Sequence, residues 1–168
     1  MSFESLRQIH AANGYCELGM WQDAWDELES LPPEDRGTLP VAVMRVEILK
    51  SMKRWESAAI LAESLVGKGA QVGGLYLSGA YAIRRARSLP EAKAFLLKGE
   101  DLLKDQAVWW YNLACYDCQL GDLDAAKARL GGAFEIDRSF RLKALEDEDL
   151  KPLWDTFAGE LRDHSEGK

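Results

Sequence analysis

The stretch from Ala107 to Phe140 constrains the fold more than any other part of the sequence. It reads AVWWYNLACYDCQLGDLDAAKARLGGAFEIDRSF. Apolar residues recur at helical spacing from about Ala107 to Leu120, and Gly121-Asp122 then makes a turn. A second amphipathic pattern follows from about Leu123 to Ile136. The stretch is therefore one helix–turn–helix unit.

Within it, Trp110-Tyr111-Asn112-Leu113-Ala114, then Gly121-Asp122-Leu123 and Ala125-Ala126, closely resemble a tetratricopeptide repeat (TPR), whose unit is 34 residues long. Shifting the register back by that length starts further units near Ser5, Leu39 and Gly73. The test is whether packing positions then align without gaps. One column holds Ala24, Ala58, Ala92 and Ala126, and a second holds Ala12, Val46, Ala80 and Ala114. In TPR proteins the alanine column lets the two helices of a repeat approach closely. A third column reads Trp21, Trp55, Leu89 and Leu123, and a fourth Leu28, Ala62, Leu96 and Leu130. The resemblance implies an all-α fold, a right-handed TPR superhelix (α-solenoid) of four helix-turn-helix repeats over residues 5–38, 39–72, 73–106 and 107–140.

Local signals punctuate these units. Gly19 marks the turn of the first repeat, and Pro32-Pro33 closes its second helix. Pro40 suits the first turn of a helix, and Lys53-Arg54 stands where the second repeat lacks a turn glycine. Glycines crowd residues 67–74, the joint expected to be most mobile. Arg87 replaces the third turn glycine, and Ser88, Pro90 and Glu91 open the following helix as a capping box. Gly99 is expected as a weak point inside that helix.

The period stops after Phe140. Leu142, Leu145, Leu150, Leu153, Trp154, Phe157 and Leu161 continue an apolar stripe, and residues 141–162 are expected to cap the last repeat, whose outer face no further repeat covers. The phrase Ala144-Leu145-Glu146-Asp147, followed by Asp149-Leu150 and Pro152-Leu153, resembles the segment that closes bacterial TPR arrays. The polar residues 163–168 read as a frayed tail.

Composition narrows the function classes. With 47% hydrophobic and 29% charged residues in 168, the chain reads as one globular domain with a substantial core. The sequence has no apolar run of membrane-spanning length and no signal-peptide pattern at its start, so a cytoplasmic protein with no membrane partner is expected. A formal charge of −7 disfavours nucleic acid, which needs a basic surface to displace counterions. That charge is uneven. Residues 1–36 carry eight Asp or Glu against two Lys or Arg, whereas residues 37–104 carry eleven Lys or Arg against six Asp or Glu.

In the resemblance, the first helix of each repeat lines a concave groove. By register this assigns Ile9, His10, Asn13 and Cys16 from the first repeat and Val43, Met44, Glu47 and Lys50 from the second. Leu77, Ser78, Tyr81, Arg84 and Arg85 follow from the third, and Tyr111, Asn112, Cys115, Cys118 and Gln119 from the fourth. Such a mixture suits a protein or peptide partner, because amides satisfy a peptide backbone while Tyr and Met fill irregular pockets. Lys50 and Arg84 share a column, which suggests charge partners for an acidic segment. The same cations sit near helix ends, where they complement the dipole. Asn13 fits the clamp of chaperone-tail binders, but Ile9, Met44, Gly74 and Ser78 occupy its other positions, so that activity is not implied.

Three cysteines make no disulfide framework. Cys115 and Cys118 form a C-x-x-C, which raises a metal or redox alternative, but a metal needs about four ligands and Cys16 lies three repeats away. Two cysteines three apart inside a helix read first as small apolar groups. No catalytic spacing appears, His164 lies in the charged tail, and the acidic run from Glu146 to Asp149 reads as solvated or helix-start charge. The expectation is a non-catalytic scaffold without cofactor or metal, monomeric or dimeric. A self-associating scaffold is the alternative, should an exposed apolar edge pair two copies.

Overall fold

The computed structural model describes residues 1–156, so Phe157, Leu161 and His164 lie outside the described residues. Within them the chain is helical, with no strand. In order come α1 (Phe3–Glu17), α2 (Trp21–Glu29), α3 (Pro33–Arg36), α4 (Leu39–Ser51), α5 (Trp55–Gly67) and α6 (Gly73–Ala86). They are followed by α7 (Leu89–Leu97), α8 (Glu100–Leu103), α9 (Ala107–Gln119), α10 (Leu123–Ile136), α11 (Phe140–Ala144) and a 3-10 helix over Glu148–Leu153. Two compact units result, Met1–Phe95 and the described residues from Leu96 onward. No helix among the described residues is long and apolar enough to cross a membrane.

The alanine column is the packing seam. Ala24, Ala58, Ala92 and Ala126 are all fully buried, as are Ala12, Val46, Ala80 and Ala114. A methyl group at these positions allows helix backbones to close to contact distance. Leu28, Ala62, Leu96 and Leu130 fill the fourth column with at most 1% exposure. In the first unit Val41, Ile48 and Leu31 complete one such core around α1, α2 and α4, with Trp21 and Trp25 half-buried against it.

Three of the four intra-repeat turns share one hydrogen-bond pattern, spaced by the repeat. Met20 N donates to Tyr15 O, Arg54 N to Leu49 O, and Asp122 N to Asp117 O, each at 2.9 Å. The residue between, Gly19, Lys53 or Gly121, has φ of 72°, 59° or 87°. This is the Schellman stop, which needs a left-handed residue just past the helix. Lys53 accepts the strain that glycine avoids at the other two. The turn at Arg87 is built differently. Its φ is −131°, and Arg87 N donates to Ile83 O at 2.8 Å. The guanidinium instead reaches Glu56 at 2.7 Å and Glu63 at 3.0 Å, with Glu91 at 3.8 Å.

Several local expectations need correction. Pro32 does not simply end a helix: it precedes a short extra turn, α3, entered through Pro33. Gly99 is not inside α7. That helix stops at Leu97, and Gly99 caps α8, so the predicted weak point is a break. At the capping box, Glu91 N donates to Ser88 Oγ at 3.3 Å, but the Glu91 carboxylate takes the Ser88 hydroxyl at 2.8 Å. The C-terminal stripe is also discontinuous. Leu142 is 74% exposed and Leu145 also faces solvent, whereas Leu150 and Leu153 are fully buried.

Candidate functional site

The best-defined binding geometry lies on α9. Tyr111, Cys115 and Gln119 are spaced by four and share one face of that helix. Residues 147–153 lie across this face. Tyr111 Oη donates to Asp147 Oδ2 at 2.8 Å, and Cys115 Sγ approaches the same oxygen at 3.9 Å. The other oxygen, Oδ1, accepts from Asp149 N at 3.1 Å and so caps the 3-10 helix. Gln119 Nε2 donates to the Asp149 carbonyl at 2.8 Å. Beyond it, Leu150 and Leu153 enter an apolar cluster with Tyr111, Cys115, Cys118 and Ala144. A 3-10 helix has three residues per turn, so these two leucines eclipse and point the same way.

Tyr111 is therefore not an open groove contact. It is 1% exposed, its ring lies 5.0 Å from that of Phe140, and Lys143 Nζ stands 4.9 Å above it. Burial, then the bond to Asp147, pushes its hydroxyl well above the usual phenol range. Asp147 is the residue that sequence reasoning misses, because an acidic run reads as solvated charge. The signal is present in Leu150 and Leu153, three apart behind a capping aspartate.

In the first unit the expected groove residues fall into separate groups. Lys50 Nζ lies 2.5 Å from Glu47 and 2.9 Å from Ser78 Oγ, and Ser78 also donates to Glu47. This network ties α4 to α6, so Lys50 is an internal partner and not a waiting cation. Tyr81 is 44% exposed and meets Trp55 edge-on at 5.7 Å. Arg85 lies 5.4 Å over the same indole. Asn13 is exposed on α1 and donates to Glu17 at 3.0 Å. Met44 packs half-buried on the first core, Arg84 is half-buried on α6, and Asn112 is half-buried on α9.

The atoms that come together as a potential ligand set are Cys115 Sγ and carboxylate oxygens of Asp147 and Asp149, mutually within 4.8 Å. Within this set the Asp147 carboxylate is bonded to Tyr111, Cys115 and the Asp149 backbone N–H. Burial pushes the neighbouring Cys118 thiol up.

The fold is shared with solved structures. MamA residues 41 to the end from Desulfovibrio magneticus RS-1 superimposes with a TM-score of 0.72 at 16% identity, covering 80% of this chain and 76% of that one. The fold is TPR-like and helical. A MamA RS-1 ArsTM double mutant gives 0.68 at 16% identity, over 81% and 76% of the two chains. No family model matches the sequence, and no curated protein matches it. At such identity the likeness concerns the TPR-like fold alone.

Proposed function

We propose that the chain is a non-catalytic protein-interaction scaffold whose repeat-opening helices take acidic peptide segments. One observation carries this reading: the α9 face already holds such a segment, through Tyr111, Cys115 and Gln119. The same three columns, one repeat earlier on α6, present Leu77, Tyr81 and Arg85. There Leu77 is half-buried, and Tyr81 and Arg85 are exposed. Tyr81 offers a half-exposed ring, and Arg85 offers a guanidinium steadied by the Trp55 indole. A cation held in place in this way forms charge-assisted bonds to a carboxylate with less ordering to do. Arg85 thus takes the role that the sequence assigned to Lys50, which is committed to Glu47.

Selection from a random peptide library on the whole chain tests this. Sequences rich in Asp and Glu with an interspersed apolar residue are expected, with binding that weakens as salt rises. Arg85→Glu is expected to reverse the charge preference and Tyr81→Ala to lower affinity about tenfold. Selection of basic or uncharged sequences, or indifference to both substitutions, would remove α6 as the receiving face.

A further inference from the structure

The seat on α9 reads its occupant by three separate chemistries. A phenol and a thiol receive the Asp147 carboxylate, an amide receives the Asp149 carbonyl, and an apolar pit receives Leu150 and Leu153. None of these contacts depends on the covalent connection between α9 and the segment. A peptide from another protein with an aspartate followed by leucines three and six residues later carries the same groups at the same spacing.

We propose that the α9 face is a docking site for a partner peptide of that pattern, and that residues 147–153 occupy it until the partner displaces them. This rests on the reading that repeat-opening helices receive peptides, and it names what the fourth repeat recognises.

The internal occupant is suited to leaving. It is a single short 3-10 helix, a form with poorer hydrogen-bond geometry than an α-helix, and Pro152 within it brings no N–H. Gln119 and the flanking Leu145 and Glu146 are exposed, so the edge of the seat is already in water. Because the segment is tethered, it competes at a high effective concentration. A partner's apparent affinity is then reduced by the fraction of chains whose seat is closed, which sets a threshold against weak ligands.

Cys115 and Cys118 report on the seat, since they are 4% and 3% exposed beneath the segment, while the half-buried Cys16 belongs to the other unit. The experiment uses the full chain and alkylation by iodoacetamide, read cysteine by cysteine by mass spectrometry. The probe is a synthetic peptide with the sequence of residues 146–154, EDEDLKPLW. In a Leu150→Ser, Leu153→Ser chain, Cys115 and Cys118 are expected to react at least tenfold faster than in wild type, with Cys16 unchanged. Saturating probe is expected to restore their protection, and a probe carrying Asp147→Asn is expected to need about tenfold more.

Thiols that stay as slow as wild type, or a fast chain that the probe does not protect, overturn the proposal. Should hydrogen exchange show that the serine pair unfolds α9, the milder Asp147→Asn chain replaces it. That chain is expected to bind labelled probe at least threefold tighter than wild type, and equal affinity overturns the proposal. Arg85→Glu separates the two readings: it is expected to reverse the charge preference of selection on α6 and to leave protection of Cys115 and Cys118 by the probe untouched.

Discussion

The α6 and α9 faces carry the same three columns and meet opposite fates. On α6, Leu77 is half-buried, and Tyr81 and Arg85 are exposed beside Trp55. On α9, Tyr111 and Cys115 are buried, and Gln119 is bonded to a segment lying across the helix. Nothing in either helix alone decides this. The difference comes from residues further along the chain: only the fourth repeat is trailed by a capping aspartate with leucines at the right spacing. Whether a repeat-opening helix is exposed or part of a core is thus a property of the segment that reaches it.

Substitutions at paired positions can break that contrast. The largest effect is expected at Leu150. Changing this fully buried side chain to Ala should destabilise by about 2–5 kcal/mol, whereas Leu77→Ala, at a half-buried side chain, should cost less, about 1–2 kcal/mol. Denaturant melts measure both, and similar losses would mean that α6 is as covered as α9.

Next come two glycines. A Cβ at Gly79 would stand 2.5 Å from the Phe95 ring and 2.9 Å from Ala62, so Gly79→Ala is expected to cost about 1–3 kcal/mol. A Cβ at Gly131 on α10 meets nothing within 4 Å, and Gly131→Ala should stabilise by roughly 0.5–1 kcal/mol. A thermal shift of the same sign for both would contradict the tight α6 seam.

Smaller again, Tyr111→Phe removes the bond to Asp147 and should lose about 0.5–1.5 kcal/mol. Tyr81→Phe keeps the ring contact with Trp55 and should leave the melting temperature unchanged. The smallest expected effect is at the turns. Lys53→Gly relieves a left-handed residue and should gain roughly 0.5 kcal/mol once glycine's extra chain entropy is counted; Gly121→Lys should lose a similar amount. If Lys53→Gly lowers the melting temperature, the Schellman account of that turn is wrong.

The alanine and small-residue columns are legible in the sequence because they arise from helix geometry repeated at fixed length, and Ala24, Ala58, Ala92 and Ala126 are all fully buried. The exits at Gly19 and Gly121 are legible for a related reason, since a left-handed residue leaves a mark in sequence. The break at Gly99 is less so: one glycine in a helical pattern is compatible with both a tolerated weak spot and a stop. At the C-terminus, the apolar residues from Leu142 onward read as a stripe carried by one or two shorter helices, which leaves their faces unassigned. The chain turns after Ala144 and continues as a 3-10 helix, with Leu150 and Leu153 turned inward and Leu142 left in water. The candidate site is the least legible part, because periodicity identifies the face of α9 but does not show that Asp147 returns to it.

The turn at Arg87 sets how the chain responds to its medium. The exits at Gly19, Lys53 and Gly121 are closed by paired backbone bonds, which dissolved ions do not screen. The exit at Arg87 leans on three carboxylates from Glu56, Glu63 and Glu91, side chains open to water. Raising salt towards 1 M shrinks the screening length to about 3 Å and weakens such pairs. Among the four exits within repeats, salt is therefore expected to act on this one. It loosens the joint between α6, the helix that carries Arg85, and its successor α7, while the other three joints keep their grip.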